Sequence, residues 1–273
     1  MKAFRYFLLV IMTAAILFSC QKDQPGDEPD AMLINQVIKA DEMLLGIDHM
    51  LVGLLDFRPM VLKSGLTENQ ILSKGCPVIT ITKSMTPWEV TIDFGQGCTI
   101  SDSVLYSGKI FVTGSFSASN QLNLSLKVVE FGTGGYKFSG DINKVITLDE
   151  QLLSGVATLD EEVVIKLPGN QGEIRHKAKL TCRYNAGNAA TFEDDTILLW
   201  GKLTSRFADG YEIIRTAQEN NPLLFSVSCR QFVSGVASFK SNKNQTWSID
   251  YGEGACDNTA LYTFGNETKT ITF

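Results

Sequence analysis

WEVTIDFGQGC, running from Trp88 to Cys98, returns near the other end of the chain as WSIDYGEGAC, from Trp247 to Cys256. Both copies keep the order Trp, Ile-Asp, aromatic-Gly, Gly, Cys, and each has a second cysteine upstream, Cys76 and Cys229. If Cys76 to Lys83 and Trp88 to Phe94 are the arms of a hairpin centred near Pro87, the position mirroring Cys76 is Cys98. In the second copy the turn is Ser241-Asn242-Lys243-Asn244, and the mirror of Cys229 is Cys256. Both pairs then meet at the open ends of hairpins, within reach of the geometry a disulfide needs. Each bond would add roughly 3 kcal/mol, chiefly by restricting the unfolded chain; the rival reading is four reduced thiols. Gly95, Gly97, Gly252 and Gly254 are expected to make the turns, and Trp88 and Trp247 to share a packing role.

The same period-two grammar governs the rest of the chain after Cys76. Leu122, Leu124, Leu126 and Val128 alternate with Asn123, Ser125 and Lys127. Ile174, His176, Ala178, Leu180 and Cys182 alternate with Arg175, Lys177, Lys179 and Arg183. Such alternation marks antiparallel strands with one dry and one wet face. Gly132-Thr133-Gly134-Gly135, Pro168-Gly169-Asn170 and Asn185-Ala186-Gly187-Asn188 punctuate them as turns. About a dozen strands are too many for one flat open sheet. The expected fold is therefore all-β, an antiparallel sandwich or a curled, half-barrel-like meander. One N-terminal amphipathic helix precedes it, from Asp30 to Phe57, with apolar residues recurring at three- and four-residue intervals. Asp30 is its N-cap and Pro59 its stop; its wide apolar stripe should lie against the sheet. The chain thus divides into residues 1–19, 20–29, 30–75 and 76–273: a signal peptide, a tether, the helix with its connector, and the β domain.

Lys2 and Arg5 followed by the apolar run Tyr6–Phe18 and by Ser19 describe a secretory signal. The run is short of the 20 or so residues a membrane span takes. Leu17-Phe18-Ser19-Cys20 looks like a bacterial lipobox, which makes Cys20 the acylated (palmitate-type) first residue of the mature lipoprotein. The tether that follows, QKDQPGDEPD, is too polar to order itself, and its acids resemble the surface-export signal of Bacteroidetes lipoproteins. Cleavage would leave 22 of the 24 basic residues against 30 acids, a net charge near −8. A mildly acidic chain without a basic patch argues against nucleic acid as a partner. The expected partner is the outer membrane, reached through a lipid anchor, and exposure at the cell surface is one outcome. Exported cysteines tend to pair; with Cys20 acylated five remain, and Cys182, on an apolar strand face, is most simply a small buried hydrophobe.

TIDFGQGC (Thr91 to Cys98), SGKI (Ser107 to Ile110), GKLT (Gly201 to Thr204), CRQFVSG (Cys229 to Gly235) and DYGEGACDN (Asp250 to Asn258) together resemble a family of uncharacterised Bacteroidetes outer-membrane lipoproteins. The resemblance covers roughly Cys76 to Phe273. It implies export, lipidation and a β fold, and no activity.

The chemistry-bearing motifs read poorly as sites. Asp93-Phe94-Gly95 lacks every companion of the kinase magnesium triplet, and Gly132–Gly135 lies between strands, where no helix N-terminus could cradle phosphate. His49, alone in the helix, and His176, without a serine elbow, are structural histidines rather than catalytic ones. Glu161-Glu162 and Glu193-Asp194-Asp195 supply paired carboxylates but no glycosidase spacing that a sequence can reveal. Asp93 with Asp102, and Asp250 with Glu253 and Asp257, are too sparse for a calcium loop. No zinc spacing exists among the cysteines. Accordingly no catalytic, cofactor or metal residue is assigned. Asp102-Ser103-Val104 and Asp195-Thr196-Ile197 resemble the short O-glycosylation motif of Bacteroidetes exports, which makes Ser103 and Thr196 candidates. Three functions fit: a non-catalytic lipoprotein with a binding or envelope-structural role, a lipid or hydrophobic-ligand carrier with a helix-covered trough, and a carbohydrate-binding or carbohydrate-active protein using Trp88, Trp200 and Trp247.

Overall fold

The structure, a computed structural model, describes residues 28–55, 70–73, 76–84, 86–99, 104–118, 120–148, 155–185, 187 and 194–272. Helix α1 spans Ala31–Leu55. Fifteen strands follow: β1 (Gln70–Ser73), β2 (Val78–Lys83), β3 (Trp88–Thr99), β4 (Leu105–Ala118), β5 (Gln121–Thr133), β6 (Tyr136–Leu148), β7 (Gly155–Lys166), β8 (Glu173–Asn185), β9 (Thr196–Phe207), β10 (Glu212–Ala217), β11 (Leu223–Ser226), β12 (Gln231–Ser241), β13 (Thr246–Glu253), β14 (Thr259–Phe264) and β15 (Glu267–Thr272). All pair antiparallel in one sheet whose spatial order follows the chain. Of the two expected arrangements the meander is the one formed, and it begins at β1, inside the stretch read as connector. Between β9 and β12 the strand position is split: β10 pairs with one half of each neighbour and β11 with the other.

One face of this sheet is dry from end to end, from Ile79 and Ile81 on β2 to Ala260 and Tyr262 on β14. Strands lie about 4.8 Å apart, so a flat sheet of this size would be roughly 60 Å wide, while a helix is only about 10–12 Å across. A single helix cannot cover such a face unless the sheet rolls around it. The contacts of α1 show that it does. Met43 reaches the β5–β6 turn at Gly134, Gln36 bonds Gln171 beyond β7, and Glu42 accepts from the Phe232 N–H on β12. Bends inside the strands permit the roll. Gly140 (φ 151°) and Gly201 (φ 122°) sit mid-strand where a Cβ would strike the carbonyl of Glu162 or Lys179 on the neighbouring strand. Only glycine allows that approach.

Asp30 caps α1 as expected, its Oδ1 accepting the Met32 N–H at 2.8 Å. Further along, the sheet covers more of α1 than its apolar stripe. The acidic residues Asp41, Glu42 and Asp48 are as buried as Ile38, Leu44 and Leu45, because the sheet closes over the helix flank that the sequence pattern leaves to water.

The two repeated motifs occupy opposite regions of the sheet, on β3 and β13, and share a local device. Asp93 Oδ1 accepts the Gly95 N–H at 2.9 Å, and Asp250 Oδ1 accepts the Gly252 N–H at 2.9 Å. The following aromatic, Phe94 or Tyr251, and the preceding Ile92 or Ile249 are buried. Cys76 and Cys98, and Cys229 and Cys256, lie with Cα atoms 5.5 and 5.6 Å apart, as disulfides; Cys182 is a buried free thiol. The first pair does not arise by plain reflection about Pro87. Val78 faces Asp93, and irregular register between Asp93 and Cys98 takes up the extra residues that carry Cys98 to Cys76. Gly95, Gly252 and Gly254 adopt positive φ in these bulges, whereas Gly97 does not.

Candidate functional site

Four inward positions, on the neighbouring strands β6, β7 and β8 and on β10 with β9 between, break the apolar face of the sheet. Each follows one rule: a polar residue stands between two apolar ones of the same phase. They are Ile142-x-Lys144-x-Ile146 on β6, Leu159-x-Glu161-x-Val163 on β7, Ile174-x-His176-x-Ala178 on β8 and Ile213-x-Arg215-x-Ala217 on β10. Strand alternation forces all four side chains inward, where α1 meets them with Asp41, Glu42 and Asp48. Sequence reading placed His176 on this face and missed Lys144 and Arg215. The missed signal is a charge standing in the apolar phase of a strand.

The cluster is paired across the helix–sheet interface. Arg215 Nη1 donates to Asp41, with side chains only 2% and 4% exposed. Lys144 Nζ contacts Asp48, which also accepts the Tyr184 hydroxyl. Glu42 accepts from Lys39 Nζ at 3.0 Å and from the Phe232 backbone at 3.3 Å. Asp41 and Asp48 stand seven residues apart on one helix face, so two turns of α1 are registered against β6 and β10. Arg215 also lies over the Phe232 ring at 5.8 Å, an added attraction for a cation held away from water.

Burial dominates the proton affinities here. It raises Asp41 in spite of its Arg215 partner, and raises Glu42 in spite of Lys39. It pulls Lys144 down to about 8, pushes Glu161 up to about 7, and holds His176 near 3, with Arg215 adding to the last effect. His176 Nε2 lies 3.9 Å from Glu161 Oε2, too far for a hydrogen bond, and neither imidazole nitrogen has a partner among the described residues. The Cys182 thiol is pushed up by burial, which keeps it inert. A proton-transfer site needs access to a reacting group; this cluster is closed by the helix that it binds.

The remaining candidates resolve individually. Trp88 and Trp247 are buried. Trp88 fills the space above Gly114, where a Cβ would collide with its ring, and Trp247 stacks on Phe239 at 5.4 Å and 6°. Trp200 is half-buried under the Arg183 guanidinium. They form no shared stacking platform, which removes the feature that pointed to carbohydrate. Asp257 is engaged by the Thr259 N–H and hydroxyl, and Asp93 by Lys109, the roles expected of turn residues. Among the described residues no group of three or more His, Cys, Asp or Glu side chains could hold a metal. Thr196 is half-buried at the start of β9, paired with Asn185 and Ser226. Cys20 and Ser103 lie outside the described residues, as does the His49 side chain.

Fold and cluster together define a class: a rolled antiparallel meander locked onto a core helix by matched buried charges. No family model, curated protein or solved structure matches the chain.

Proposed function

We propose that the chain is a non-catalytic lipoprotein, held at the outer membrane through acylated Cys20, with a binding or envelope-structural role. The observation that carries the non-catalytic half is the pairing of each α1 carboxylate with a cation, Asp41 with Arg215, Glu42 with Lys39 and Asp48 with Lys144. The concentration of buried charged groups in the described fold is thereby used to seat a helix. A carrier binding its ligand between α1 and the sheet would have to displace those same carboxylates from the same floor, so the scaffold reading asks less. The membrane half rests on the lipobox-like Leu17–Cys20 and the polar tether behind it.

The test is fractionation and intact mass of the protein taken from its own envelope. The expected result is an outer-membrane protein whose mass carries acyl chains and falls in the soluble fraction after Cys20→Ala. A native protein without acyl mass, or a variant that stays in the membrane, overturns the anchor. A small apolar ligand that copurifies stoichiometrically would replace the scaffold reading with the carrier.

A further inference from the structure

We propose that the interface between α1 and the sheet is a proton-dependent latch, fully closed only while Glu161 carries a proton. The argument begins with a count of charges. α1 brings Asp41, Glu42 and Asp48 to the interface, and Arg215, Lys144 and Lys39 answer them one for one. Glu161 is a fourth carboxylate, buried on β7, and among the described residues its one ion-pair neighbour is His176, 3.9 Å away. The groups that act on it are Lys144 from β6, Arg215 from β10, Asp41 from α1, and Asp160 beside it on the outer face. From β8 it meets His176 and acts on Cys182 and Tyr184. Lys144 is already engaged by Asp48, Arg215 by Asp41, and His176 is kept neutral by burial. Ionised, Glu161 would be a charge that Lys144 and Arg215 offset only in part in a closed compartment, a state folded proteins avoid by keeping the proton or by admitting water.

Among the described elements, the helix–sheet interface is the path water would take. Strands β6 to β10 are fastened to each other by continuous backbone ladders. The contacts of α1 with the sheet described above run through its side chains, so it is the element that gives way. The direction of the response follows from the proton count. Glu161 is raised from an ordinary 4.5 to about 7, so its stabilisation is complete below about pH 4.5 and is lost as pH rises through about 7. Asp41 and Glu42, also raised, act in the same direction. His176, lowered from 6.5 to about 3, acts oppositely and withdraws stability as pH falls from about 6.5. Glu161 and His176 together leave the latch tightest between about pH 4.5 and 6.5 and loosened as pH rises through about 7.

Hydrogen exchange of the full-length protein tests this. Between about pH 6 and about pH 8, after correction for intrinsic exchange, amides of α1 should lose roughly two- to threefold protection, the roughly tenfold loss from Glu161 being offset in part by His176, while those of β6 to β8 do not. In Glu161→Gln, which keeps the shape and removes that carboxyl's titration, α1 protection should no longer fall and, with His176 left to act, should rise a few-fold over the same interval. Equal losses in both proteins, or no loss in the wild type, overturn the latch. Should the variant fail to fold, infrared spectra of wild-type protein labelled at glutamate give the answer. A buried protonated carboxyl must disappear over the same interval, and its absence at about pH 6 is equally decisive.

Discussion

Opposite charges pair on both faces of the sheet, and the two sets do different work. On the outer face Lys177 meets Glu162 at 3.3 Å and Lys179 meets Asp160 at 3.4 Å, each partner more than half exposed. Water and salt screen such pairs, which contribute about 0–1 kcal/mol. On the inner face Asp41–Arg215 and Asp48–Lys144 are almost wholly withdrawn from water. There desolvation offsets most of the attraction, so the pairs add little net stability, yet removing one partner strands the other. The outer pairs leave the wet face of the sheet charged. The inner ones fix where the helix sits and in which register.

The widest separation between the two faces should come from Arg215→Ala. It leaves Asp41 buried and unanswered, with an expected loss of about 3–5 kcal/mol in denaturant unfolding and the loss of helix protection first. Next comes Cys98→Ser, or Cys256→Ser, in oxidised protein. Each opens a loop, of 22 or 27 residues' separation, and should cost roughly 3 kcal/mol, read as a lower melting temperature that a reductant imposes on the wild type as well. Exchanging the whole inner pair, Asp41→Leu with Arg215→Met, should land within about 1–2 kcal/mol of the wild type or above it, because the apolar pair carries no desolvation cost. A loss as large as that of Arg215→Ala would mean that the pair contributes stability outright. Smallest is Lys177→Ala, expected at about 0.2–1 kcal/mol at low salt and nothing measurable at high salt.

What could be read from the sequence follows the range of each physical signal. Alternation over β5 and β8 and the three- and four-residue rhythm of α1 are local, and they gave strands, helix and the Asp30 cap. The cysteine pairs were legible because the repeat supplied a second hairpin to compare, although the bulge at Asp93–Cys98 hid the true register. The burial of Asp41, Glu42 and Asp48 was not legible, since nothing near them in sequence announces a sheet that wraps the helix. Their partners lie more than a hundred residues away for Asp41 and Arg215 (174) or for Asp48 and Tyr184 (136). Such matches belong to topology. The phase rule that exposes Lys144, Glu161, His176 and Arg215 becomes informative only once one face is known to be dry throughout.

The split between β10 and β11 has a practical consequence. Each half-strand is held on both sides, by β9 and by β12, while Gln218, Glu219, Asn220 and Asn221 stand out from the sheet, exposed and tied by the Asn221 N–H to the Gln218 carbonyl at 3.1 Å. The ladder therefore does not depend on chain continuity at this point. A peptide tag placed between Glu219 and Asn220 should change stability by no more than about 0.5 kcal/mol, which makes this excursion the natural handle for labelling the protein without touching the core.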